Sequence, residues 1–105
     1  MARLSGMVAI ITGAASGIGK EIAKRFAAED AQVVIADLQL ASAQATADEI
    51  NRAGGIAMGV AMDVSDESAV EAGVATAFER FGAIDVLVSN ARYPDRQADR
   101  RVPVQ

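Results

Sequence analysis

Four short apolar runs set the terms for this chain: residues 8–11, 33–36, 56–62 and 86–88, whose starts lie 25, 23 and 30 residues apart. Each is β-branched-rich or continuously apolar rather than alternating, the pattern of strands buried on both faces of a parallel sheet. The segments between them carry helical period. The first helix is predicted over about residues 17–28, with Ile18, Ile22 and Phe26 on one face, continued by Ala23 and Ala27. The second, about residues 41–53, turns Ala43, Ala47 and Ile50 inward and stops at Gly54. In the third, Ser65 can cap, Asp66 and Glu67 suit the first turn, and Val70, Val74, Ala77, Phe78 and Phe81 form a stripe before Gly82. Strand and helix alternating from end to end is the grammar of right-handed βαβ units. The expected fold is therefore α/β, the N-terminal half of a doubly wound parallel sheet of Rossmann type. Its sheet order is 3-2-1, with the fourth strand beside the first.

Composition narrows the chemistry. The 105 residues include no cysteine and no histidine. Disulfide frameworks, thiolate nucleophiles and cysteine-ligated metals are excluded, and the commonest metal ligand and general base is missing. Neither a catalytic triad nor a metal site is expected. A hydrophobic content of 51% against 23% charged residues argues against disorder. No apolar run approaches the roughly 20 residues that span a bilayer. Arg3 is the only basic residue before Gly6, with no long apolar stretch after it, so no secretory signal is read and the cytoplasm is expected. The net charge of −4 is unevenly spread: residues 1–91 hold 6 basic and 12 acidic side chains, residues 92–105 four arginines and two aspartates. An acidic body makes nucleic acid a poor partner. The basic tail has no aromatic residue beyond Tyr93 to interleave with its arginines, which disfavours it as a nucleic-acid or acidic-partner arm.

Between the first strand and the first helix stands Thr12-Gly13-Ala14-Ala15-Ser16-Gly17-Ile18-Gly19. Glycines there permit a tight turn and close backbone approach, so that a pyrophosphate can sit against amides at the helix N-terminus. A plain βα turn is the competing reading. Asp37 ends the second strand 18 residues after Gly19 and is followed by Leu38. A carboxylate at that place can accept both hydroxyls of an adenosine ribose and would repel a 2′-phosphate, which favours NAD over NADP. No Arg or Lys is expected near the turn to receive such a phosphate; Lys20 and Lys24 read as solvated charge on the first helix. Alternatively Asp37 merely begins a turn. At the end of the third strand, Asp63 and Val64 offer a carboxylate for an adenine amino group and an apolar wall for its ring. Asp63 reads equally as a strand-end or capping residue.

These residues resemble the short-chain dehydrogenase/reductase family. The resemblance rests on Thr12-Gly13-x-x-x-Gly17-Ile18-Gly19, Asp37, Asp63-Val64 and the run 85–91, Asp-Val-Leu-Val-Ser-Asn-Ala, similar to the family's N-N-A-G segment with Ser89 in its first place. It covers residues 4–91 and is most similar to the NAD-dependent 3-hydroxybutyrate dehydrogenase group. It implies an oxidoreductase with NAD as cofactor. The cofactor-binding residues would be Gly13, Ser16, Gly17, Ile18 and Gly19 at the pyrophosphate, Asp37 and Leu38 at the ribose, Asp63 and Val64 at adenine, and Asn90 and Ala91 lining the cofactor. Asp30 stands where the family often has Gly at a helix C-terminus, a tolerable change because Asp visits left-handed conformations more readily than most residues.

At Arg92, where N-N-A-G has its Gly, the resemblance stops. Residues 92–105 show neither apolar period and read as an unstructured tail, leaving residues 1–91 as a partial NAD-binding domain. A one-base insertion near the Ala91/Arg92 junction would account for the break. With Arg92 as CGG and its first base removed, one permitted reading becomes Gly-Ile-Gln-Ile-Val-Lys-Pro-Ile, similar to the continuation in the hydroxybutyrate dehydrogenase group. A natural divergent tail is the other account. The resemblance also implies catalysis by a Tyr, a Lys four residues on and a Ser. The one tyrosine, Tyr93, has Gln97 at that place. No catalytic residue is therefore expected here, and the chain is expected to be inactive and to bind NAD weakly or not at all. A small-molecule substrate is expected only in a full-length form, and an oligomer would lack the family's usual interface. The alternative is a non-catalytic nucleotide-binding module or a truncated product without function.

Overall fold

The computed structural model of the chain describes residues 5–15 and 17–89. Seven elements follow in order: β1 Val8–Thr12, α1 Gly17–Ala28, β2 Gln32–Asp37, α2 Leu40–Arg52, β3 Ile56–Ala61, α3 Glu67–Phe81 and β4 Val86–Val88. The strands form one parallel sheet of order β3-β2-β1-β4, as the alternation predicts. β1 pairs with β2 from Val8 opposite Gln32 to Thr12 opposite Ala36, and with β4 from Ala9 opposite Val86 to Ile11 opposite Val88.

The pleat of the sheet divides the core in two. Ile11, Val33 and Ile35 face α1 and α2, packing against Ala23, Ala27, Ala43, Ala47 and Ile50. Ile10, Val34 and Ala36 face the other way, toward Ala77, with Val70, Val74 and Phe81 of α3 partly buried around them. Helices on both faces mean that successive strand residues are all buried, which is why β1 reads as a continuous apolar run. Two crossovers lead from β1 toward β3 and the third returns to place β4 on the opposite side of β1. The strand order therefore reverses beside β1, at the carboxyl ends where doubly wound sheets bind ligands.

Several expectations are corrected at the level of faces and caps. Ile18 is 72% exposed and outside the core; α1 instead buries Gly19, Ala23 and Ala27. Phe78, expected in the α3 stripe, is 55% exposed, and α3 buries Gly73 and Ala77. The cap of α3 is Asp66, whose side chain accepts from Ser68 N and Ala69 N, and not Ser65. Lys20 and Lys24 are not merely solvated: both Nζ atoms meet the Glu49 carboxylate, at 3.0 and 3.4 Å, tying α1 to α2. The Lys20 hydrogen bond, then that of Lys24, holds Glu49 below the ordinary carboxylate range, so the tie is present above that range and lost as pH falls below it. Gly54 and Gly82 do end their helices in left-handed geometry, and Asp30 likewise has φ +71°.

Candidate functional site

All four strands run parallel, so their carboxyl ends share one edge, and the predicted site residues collect there. Gly13 follows β1, Asp37 ends β2, Asp63 stands two residues past β3, and Ser89 follows β4. The Asp37 carbonyl accepts from Met62 N at 2.7 Å, which keeps the exit of β3 in line with that of β2. Asn90, Ala91 and Ser16, expected at the cofactor, lie outside the described residues, as does the tail 92–105.

The glycine turn is held by its neighbours rather than by itself. The amides of Gly13 and Ala14 both donate to the Ala36 carbonyl, at 2.8 and 3.4 Å, pinning the exit of β1 to β2. The Ala15 amide donates to Asp37 Oδ2 at 3.3 Å. The Ala15 carbonyl accepts from the Thr46 hydroxyl on α2 at 3.2 Å. Gly13 has φ +64° and Gly17 φ +63°, backbone that a side chain would strain. A Cβ placed on Gly17 would meet nothing within 4 Å, so the turn opens into free space where α1 begins. The first amides of a helix lack intrahelical acceptors. Amides of that kind suit a phosphate.

Asp37 does the turn-starting work that was one of its two readings. Its Oδ1 accepts from Gln39 N at 3.4 Å, starting the turn toward α2, while its Oδ2 reaches the glycine turn. The carboxylate thus links the glycine turn after β1 to the turn that leaves β2. Leu38 beside it is 62% exposed. Asp63 Oδ1 accepts from Ser65 Oγ at 2.6 Å and from Ser65 N at 2.9 Å. The serine hydroxyl above all, then its amide, holds this carboxyl below its ordinary value. Asp63 therefore does the strand-end work that was one of its two readings. Val64 packs against the second core cluster.

Sequence reasoning missed two contributors. Thr46 is one; its only signal was a polar residue on the apolar face formed by Ala43, Ala47 and Ile50. The other is Asp85, whose Oδ2 accepts from Val8 N at 2.8 Å while its own amide donates to Val8 O at 2.8 Å, docking the start of β4 on β1. A broad open depression along α1, lined by Gly17, Ile18, Ile22, Arg25 and Phe26 among others, holds neither Asp37 nor Asp63. Among the described residues, no helix is long and apolar enough to cross a membrane.

The comparisons with known proteins agree with this architecture. The family model for short chain dehydrogenase matches residues 7–103. A sorbitol dehydrogenase of Cereibacter sphaeroides is 46% identical over 89 residues, 85% of this chain and 34% of that protein. A galactitol 2-dehydrogenase of Agrobacterium fabrum is 48% identical over 89 residues, again 85% of this chain and 34% of that protein. The crystal structure of a hydroxysteroid dehydrogenase from Escherichia coli superposes with a TM-score of 0.84 at 43% identity, covering 87% of this chain and 39% of that one. The chain thus spans about a third of the length of the curated relatives it matches.

Proposed function

The chain belongs to the short-chain dehydrogenase family of oxidoreductases, and we propose that residues 1–91 form the NAD-binding half of an enzyme oxidising a hydroxy acid such as 3-hydroxybutyrate. The family uses a nicotinamide cofactor, NAD or NADP. One observation supports the choice of NAD: the Asp37 carboxylate accepts from the Ala15 amide at 3.3 Å, which puts a negative charge against the glycine turn that would repel a 2′-phosphate. The two nearest basic residues in sequence, Lys20 and Lys24, are spent on Glu49. A phosphate there would meet negative charge without compensation.

In this reading Gly17, Ile18 and Gly19 present the pyrophosphate site, with Gly13 and Ser16 shaping the turn. Asp37 accepts the ribose hydroxyls with Leu38 beside it. Asp63 and Val64 border adenine, and Asn90 and Ala91 line the approach to the nicotinamide. Bound NAD would supply the hydride acceptor. The hydroxy-acid substrate rests on the likeness of residues 11–23 and 85–91 to the hydroxybutyrate dehydrogenase group; the sorbitol and galactitol dehydrogenases that the chain is similar to make a polyol the competing substrate. The cysteine-free composition suits a cytoplasmic setting.

Calorimetric titration of the 105-residue chain with NAD and with NADP tests the assignment. Weak binding, in the millimolar range, is expected for NAD and weaker binding for NADP. Asp37→Ala should bring the two affinities together, chiefly by weakening NAD. Equal affinities in the wild type, or an unchanged ratio in the variant, would refute the role of Asp37.

A further inference from the structure

Thr46 is a buried hydroxyl that the packing of α2 does not require. It is 2% exposed and shares a helix face with Ala43, Ala47 and Ile50, which close over β2 and β3. Valine would fill the same volume with about the same helix propensity. A buried hydroxyl costs free energy unless it is bonded. This one spends its bond at long range: Oγ1 donates to the Ala15 carbonyl, 31 residues earlier in the chain, at 3.2 Å.

The other side of Ala15 is also held, its amide donating to Asp37 Oδ2 at 3.3 Å. Gly13 and Ala14 are fixed through their amides to Ala36. The turn is therefore gripped from β2 through three amides and from α2 through one carbonyl, and Thr46 supplies the grip from α2.

We infer that Thr46 is a positioning residue for diphosphate binding: it fixes the Ala15 peptide so that the glycine turn is set before a nucleoside diphosphate arrives. This inference rests on the reading of the turn as a dinucleotide site. A turn ordered in advance does not pay its ordering cost at the moment of binding. The effect belongs to the diphosphate and not to the nucleoside, because Thr46 acts on the turn and not on the Asp63 or Val64 side of the groove.

The test uses the 105-residue chain and its Thr46→Val, Thr46→Ser and Thr46→Ala variants, titrated with ADP and with adenosine and followed by backbone amide shifts in solution NMR. Thr46→Val should raise the dissociation constant for ADP by about tenfold, equivalent to about 1.4 kcal/mol, while that for adenosine changes less than about twofold. Thr46→Ser keeps the donor and should keep the ADP affinity. Thr46→Ala repeats the comparison without a branched side chain against the turn, should the valine not be accommodated. Parallel losses for ADP and adenosine would reduce Thr46 to a structural residue, and unchanged ADP binding in the valine variant would also overturn the inference. If the wild type binds neither ligand, the dinucleotide reading itself fails; if it binds both and is insensitive to position 46, only the present inference does.

Discussion

Gly59 has no room for a side chain. A Cβ there would stand 2.8 Å from Gln44 N and 2.9 Å from the Ala43 carbonyl carbon, both backbone atoms, so α2 rests directly on β3. Gly59→Ala would force the helix off the strand, at a cost of about 1–3 kcal/mol typical of overpacking. Its urea denaturation midpoint should fall accordingly; a wild-type midpoint would mean that α2 does not sit so close. In the sequence Gly59 only interrupts an apolar run, because hydrophobic period reports which residues face inward and not how near the next backbone lies. Thr46 is hidden for the same reason, its partner Ala15 being 31 residues away. Gly13 and Gly17 are legible because their role is local: they sit at a strand-to-helix junction, and their φ values of +64° and +63° are what such a turn demands. Asp37 is legible by spacing from that junction, yet its bond to Ala15 is not.

At the scale of elements, the positions of the strands and helices were readable while the faces of the helices were not wholly so. In α1 the large apolar residues Ile18, Ile22 and Phe26 recur every fourth place, and so do the small ones, Gly19, Ala23 and Ala27. The helix buries the small series, with Ile22 and Phe26 only partly covered and Ile18 at 72% exposure. Small residues let a helix approach a sheet closely, so the closest-packed face is not the bulkiest one. The start of α3 is a similar case: Ser65 and Asp66 are both good caps by type, and a shift of one residue decides between them. The structure gives Asp66 two amide partners, at 3.0 and 3.3 Å, and commits Ser65 to Asp63. Asp66→Ala should therefore cost about 1 kcal/mol of stability, and Ser65→Ala clearly less. Equal losses in thermal unfolding of the two variants would return the cap to Ser65.

At the scale of the whole molecule, the proposed reading separates holding a cofactor from using it. Hydride transfer from a hydroxyl substrate needs a group near the substrate to take the hydroxyl proton. The chain has no histidine, and its one tyrosine, Tyr93, is followed four places later by Gln97 rather than by a lysine that could lower its pKa. Lys20 and Lys24 belong to the tie between α1 and α2 through Glu49. At the carboxyl edge of the sheet, Asp37 is bonded to the glycine turn and Asp63 to Ser65. In the proposed reading those carboxylates would border the adenosine, which in an extended dinucleotide is the end away from the hydride. The expectation is binding without turnover: the purified 105-residue chain, with NAD and 3-hydroxybutyrate, should show no NADH absorbance above the protein-free rate, even at NAD concentrations where titration detects the complex. A rate that scales with protein and survives repeated purification would overturn this, and it would require a proton acceptor among residues 1–105 other than the Tyr and Lys pair of the family. Measuring binding and turnover on the same sample distinguishes a site that fails to hold NAD from one that holds it without a base to use it.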